Sequence, residues 1–134
     1  MPSVEFTVPG NAVPWARAGG HGHIRFTPAP QRSYMGVLRH YASEAMGDKP
    51  LFDGPCRLMV VATFQWPKST PKKVRALGKA RKKTKPDLDN LVKIVKDSLN
   101  GIVWTDDARV CDERSSKWLG EKPGLHVWIQ EIGE

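Results

Sequence analysis

The chain has 134 residues, a formal net charge of +7 and a pI of about 9.7, which is one domain's worth of sequence with a balance that favours a polyanionic partner, above all nucleic acid. Its two cysteines, Cys56 and Cys111, stand far apart and form no CxxC pattern; this argues against a disulfide scaffold or a structural zinc site and for buried or part-buried free thiols in a reducing compartment. The opening MPSVEFTVPG has no apolar signal core, and no apolar run approaches the roughly 18 residues that span a bilayer, so a cytoplasmic protein without a membrane partner is expected.

In chain order, Val4 to Val8 alternates apolar and polar residues and reads as a strand closed by Pro9-Gly10. Residues 11 to 28 are rich in Gly, Pro, Arg and His, with a GGHGH loop and a short strand expected over Ile24 to Thr27. Gln31 to Met46 reads as a helix whose apolar face carries Tyr34, Val37, Leu38, Tyr41, Ala42 and Ala45, stopped by Gly47. Cys56 to Trp66 is rich in β-branched and aromatic residues and reads as a central strand, with Leu58 to Phe64 assigned to core or interface. Residues 68 to 85 hold nine of the 21 Lys and Arg and no acid. They read as a mobile basic loop with one helical turn around Val74 to Ala80. A second helix is expected from Asp87 to Asn100, with an apolar stripe of Leu88, Leu91, Val92, Val95 and Leu99 and a C-terminal cap at Gly101. Ile102 to Trp104 suggests a strand end. Arg109 to Trp118 and Leu125 to Ile129 read as two closing strands that turn at Glu121 to Gly124. The layout is that of a single α+β domain over residues 1–134, a mixed or antiparallel sheet with two main helices.

Six of the eight aspartates fall between positions 87 and 112, beside the densest positive charge. Three readings compete for Asp87 and Asp89. Acids at a helix start are stabilised by free N–H groups and the helix dipole, by roughly 0.3–1 kcal/mol each. Ion pairing with nearby lysines at a surface is worth about 0–1 kcal/mol. The third reading is metal coordination. Capping does not explain Asp106 and Asp107, and the sequence permits the two aspartate groups to meet without requiring it. If they meet, one carboxylate is forced to hold a proton unless a cation neutralises them. A hard divalent ion with oxygen ligands, Mg²⁺ with Mn²⁺ as a substitute, suits such acids and can act on a phosphodiester.

Lys93 lies four residues after Asp89, on the same helix face and off the apolar stripe. It is either an exposed i,i+4 partner of Asp89 or a lysine that stabilises phosphoryl charge. Lys72, Lys73, Arg75, Lys79, Arg81, Lys82, Lys83 and Lys85 would hold DNA phosphates. His21 and His23 could bind a metal but read first as solvated loop histidines with no second ligand pair, Arg17, Arg25 and Arg32 read as surface arginines before phosphate contacts, and Ser69, Ser115 and Ser116 have no Ser-His-Asp context.

KPDLDNLVKIVKDSLNG followed by VWTDDARVCD resembles the RusA family of Holliday junction resolvases of bacteria and their phages, with weaker support from Phe26-Thr27-Pro28. The specific part covers about 26 residues: an Asp-Leu-Asp-Asn stretch opening a helix, a lysine one turn on, a double aspartate and a further aspartate downstream. The resemblance implies a RusA-like fold and a homodimeric, Mg²⁺-dependent endonuclease that resolves four-way junctions by paired symmetric nicks in recombination and repair. It implies that Asp87, Asp89 and Asp107 are metal-binding catalytic acids, that Asp106 is an assisting neighbour and that Lys93 is the catalytic lysine. Asn90 and Asp112 match the motif in supporting roles; for Asp112 an ion pair with Arg109 or Arg114 competes. A homodimer fits a junction that must be cut at two symmetric places. Two other functions compete: a non-catalytic nucleic-acid-binding recombination accessory protein, and a nuclease for other branched DNA.

Overall fold

The computed structural model describes residues 1–16 and 27–133. The strand expected at Ile24 to Thr27, and Arg17, His21, His23, Arg25 and Phe26, lie outside the described residues, save for Thr27. In chain order the elements are strand β1 (Ser3–Pro9), helix α1 (Ala29–Met46), strand β2 (Cys56–Gln65), the short helix α2 (Lys72–Arg75), strand β3 (Lys79–Arg81), helix α3 (Leu88–Leu99), a 3-10 turn (Asp107–Arg109), and strands β4 (Val110–Gly120) and β5 (Gly124–Glu131). The fold is α+β, with one five-stranded mixed sheet in the order β1-β5-β2-β4-β3.

β2 is central, as its β-branched and aromatic run implies. It pairs antiparallel with β5 and parallel with β4. Its alternate residues Leu58, Val60, Ala62 and Phe64 are buried against the helices. They belong to the core, which decides between the two roles open to this strand. The parallel β2–β4 pair requires a crossover, and α3 lies within it. The turn from Glu121 to Pro123 looks like a hairpin turn in the sequence, yet β4 and β5 do not pair with each other. β2 lies between them, and the turn passes over its end, where the Trp66 N–H donates to the Gly120 carbonyl at 3.2 Å.

α1 buries Tyr34, Leu38, Ala42 and Met46, with Gln31 at its start, but leaves Val37 exposed; Val37 sits at the margin of the apolar arc, and the sheet does not reach it. α3 is amphipathic and buries Leu91, Val92, Ile94, Val95 and Leu99. The two helices are joined where Arg39 Nε donates to the Ser98 carbonyl at 3.0 Å. Gly101 follows α3 with a φ of +80°, the left-handed geometry expected of a C-terminal cap.

Three further expectations change. The basic segment 68–85 contains α2 and β3 in place of one unbroken loop, and its helical turn spans Lys72–Arg75, not Val74 to Ala80. β3 pairs with the end of β4, with Lys79 opposite Gly120 and Arg81 opposite Trp118, so backbone pairing offsets the local repulsion of lysines. Ile102 to Trp104 forms a turn after α3, with Trp104 fully buried and bridged to Phe52 and Asn100. Finally, Cys56 is buried but Cys111 is exposed; both are free.

Candidate active site

Pro86 cannot continue a helix backward, and Asp87 has extended backbone geometry at the N-cap position of α3. Its side chain makes no capping hydrogen bond. It is exposed and sits 3.7 Å from Lys85 Nζ. The segment before it is held by Lys117 on β4, whose Nζ donates to the Thr84 carbonyl at 2.7 Å and the Pro86 carbonyl at 2.8 Å.

Four residues of α3 point away from the core into one cavity of about 330 Å³: Asp89, Lys93, Lys96 and Asp97. Their spacing of four, seven and eight residues from the first is the 3.6-residue period read on the polar side. Across the cavity stand Asp107, from the 3-10 turn, and Glu113, from β4. Asp89 and Asp107, one member of each aspartate group, therefore line a common cavity. The helical acids are strung along it, since the eight residues from Asp89 to Asp97 rise about 12 Å. Among the described residues, no three acidic, histidine or cysteine side chains are gathered closely enough to hold an ion unaided.

The cavity's charges sort into pairs. Lys93 Nζ lies 3.6 Å from Asp97 Oδ2, not against Asp89 as the forward i,i+4 spacing suggests. It also lies 5.0 Å from the centre of the Trp15 ring. Lys96 forms an ion pair with Glu113. Asp89 and Asp107 have no lysine or arginine partner among the described residues. Asp107 accepts only a long contact, 3.4 Å, from Asn100 Nδ2. Among the described residues the donor set is carboxylate oxygen throughout, with no thiol or imidazole, and that chemistry fits a hard divalent cation that keeps several waters.

The remaining motif residues are placed elsewhere. Asp106 accepts from the Ala108 N–H at 2.8 Å and caps the 3-10 turn. Asn90 contributes through its backbone: its carbonyl accepts the Trp15 N–H at 3.0 Å, which seats the segment carrying that indole. Asp112 lies on the opposite face of the sheet and pairs with Arg57 at 3.2 Å, not with Arg109 or Arg114; alternation along β4 sends Asp112 and Glu113 to opposite sides. Arg109 pairs with Asp53 at 3.0 Å.

The basic residues are divided among short elements. Lys72, Lys73 and Arg75 lie on α2. Lys79 and Arg81 extend from β3 over Trp118, with Nζ and Cζ 4.5 and 4.1 Å from its ring centre, an arrangement in which the ring quadrupole holds cations at a surface. Lys82 reaches Thr84 Oγ1 at 2.9 Å. Lys83 and Lys85 are exposed. Three residues of the cavity, Lys96, Asp97 and Glu113, carry no motif signal in the sequence, although the i+8 spacing of Asp97 from Asp89 points to a shared helix face.

The model of the family described as Endodeoxyribonuclease RusA matches residues 8–130. The uncharacterized protein YqaN of Bacillus subtilis (strain 168) is 33% identical over 142 residues, an alignment that takes in 98% of this chain and 99% of YqaN. The aspartate-lined cavity lies wholly within the matched span, and the chain belongs to the RusA endodeoxyribonuclease family.

Proposed function

We propose that the protein is a Mg²⁺-dependent endonuclease that resolves Holliday junctions as a homodimer, with Mn²⁺ as an alternative ion. The observation that carries this reading is the meeting of Asp89 and Asp107 on one cavity whose wall also holds Lys93. A bound Mg²⁺ supplies a more acidic water and stabilises charge on the phosphoryl oxygens. Asp89 and Asp107 hold the ion, since the cavity's other two carboxylates are already neutralised by lysines. Asp87 is the third acid of the motif, exposed at the head of the same helix, and Asp106 fixes the turn that presents Asp107. Lys93 places a positive charge where a non-bridging phosphate oxygen gains negative charge in the transition state. Residues Lys72 to Lys85 engage the flanking phosphates, with Lys79 and Arg81 held out by Trp118.

Each chain contributes one such cavity lined by its own residues, and a four-way junction is cut at two symmetric positions; a two-fold dimer matches that symmetry. The test is cleavage of a synthetic four-way junction labelled on each arm in turn, with Mg²⁺ or with EDTA. Paired symmetric nicks that need Mg²⁺ are expected. Asp89→Asn and Asp107→Asn should each cut at least about 100-fold more slowly while still binding the junction. Unchanged cutting by either variant removes that residue from the site. Binding without cutting in both Mg²⁺ and Mn²⁺ favours a non-catalytic accessory protein, and equal cutting of flaps and junctions favours a general branched-DNA nuclease.

A further inference from the structure

Lys93 has two contacts that no motif position announces. Its Nζ lies 3.6 Å from Asp97 Oδ2 and 5.0 Å from the centre of the Trp15 ring. A lysine side chain has four rotatable bonds and stays mobile unless its ammonium is held. Here the carboxylate of the next helical turn and an indole from a separate segment both engage it. The Asp97 side chain is one-third exposed and that of Lys93 about half, at 33% and 47%, so the pair is partly sheltered from solvent. The indole is itself fixed. Trp15 packs against the core, and its backbone N–H donates to the Asn90 carbonyl at the start of the same helix.

Helix stability does not account for this pair. The order Lys-then-Asp at i,i+4 is the weaker orientation. Asp97 also stands three residues before the Asn100 cap of α3, where a negative charge meets the negative end of the helix dipole. On helix physics alone, replacing Asp97 by asparagine is neutral or slightly stabilising. The carboxylate's effect is exerted on Lys93.

We infer that Asp97 and Trp15 are positioning residues that hold the Lys93 ammonium on the wall of the Asp89–Asp107 cavity. This rests on the nuclease reading and adds to it the means by which its lysine is aimed. Asp97 lines the cavity and touches the lysine, while Trp15 braces the ammonium from the N-terminal segment. The arrangement leaves Asp89 without a lysine partner and therefore available to an ion.

The test uses the full chain and a labelled four-way junction. Single-turnover cleavage in Mg²⁺, junction affinity in Ca²⁺ and Tm are measured for Asp97→Asn, Asp97→Glu, Lys93→Ala and the Lys93→Ala/Asp97→Asn double variant. Asp97→Asn should cut roughly tenfold more slowly at saturating DNA, with affinity changed less than about twofold and Tm no lower. Asp97→Glu, which keeps the charge on a longer stem, should recover most of the rate. The double variant should be no slower than Lys93→Ala, because a positioning residue has nothing left to position. Trp15→Leu should slow cutting in the same way in the wild-type background only. Wild-type cutting by Asp97→Asn, or an equal loss in the Lys93→Ala background, overturns the inference while leaving the nuclease reading intact. Wild-type cutting by Lys93→Ala overturns both the inference and the lysine's assignment.

Discussion

Replacing Lys117 by methionine removes one charge, keeps the aliphatic stem and reads how firmly the head of α3 is held. Lys117 Nζ donates to the Thr84 and Pro86 carbonyls at 2.7 and 2.8 Å. These are the only side-chain bonds to the backbone of residues 84–86 among the described residues. A hydrogen bond from a charged donor contributes about 1.5–3 kcal/mol where both groups are sheltered. The Thr84 bond is exposed and the Pro86 bond part-buried, so solvent competes for the first and the sum is discounted to about 2 kcal/mol. For a domain of this size that corresponds to a Tm lowered by roughly 6–10 °C. The segment released leads directly into Asp87, so cutting should fall further than junction binding. Calorimetry and junction cleavage on the same preparation check both. A Tm within about 1 °C of wild type, with normal cutting, would mean that water replaces the ammonium without loss and that this tether does not set the helix start.

Trp104→Ala should destabilise the fold by about 3–5 kcal/mol, since the indole is fully buried and its Nε1 donates to Asn100 Oδ1 at 2.9 Å; urea titration reads this, and a loss below about 1 kcal/mol would show that the site collapses around the gap. In the native protein one thiol per chain should react rapidly with a disulfide reagent, the exposed Cys111, and two should react in denaturant, because Cys56 is sealed in the core. Burial, with the Glu131 carboxylate adding, pushes the Cys56 thiol from 9.0 up to about 11. The unfolded chain therefore loses this proton first, and its share of stability, complete below pH 9, is lost as the pH rises from about 9 through 11. Cys56→Ala should flatten that decline in alkaline melts.

The long elements were legible in the sequence because a single period dominates each. β2 alternates against a helix-covered face, and α3 carries an apolar stripe between a Pro-Asp start and a Gly stop. On the polar side of α3 the motif reaches only as far as Lys93. Asp97 carries no motif signal of its own, because the Asp-Leu-Asp-Asn start pairs Lys93 backward with Asp89, whereas the ammonium turns forward. Glu113 was hidden by its neighbour: Asp112 matches a motif, but strand alternation turns it to the other face and delivers Glu113 to the cavity. β3 was illegible for a different reason. Three residues of Lys-Ala-Arg have no strand propensity of their own, and they pair because β4 offers an open edge at Trp118 to Gly120. The placement of β2 between β4 and β5 is a long-range choice that a three-residue turn does not announce.

The sheet also orders events in time. β1 pairs along its whole length with β5, Ser3 opposite Gln130 and Pro9 opposite Gly124. β2, made early, waits for both of the strands that flank it. On the ribosome, then, the first half of the sequence emerges with apolar strands and no partners, and the sheet cannot close until the last strand is released. Such a chain assembles in one late step, slowly for its length, and it depends on its surroundings to keep β1 and β2 from pairing with other chains in the interval.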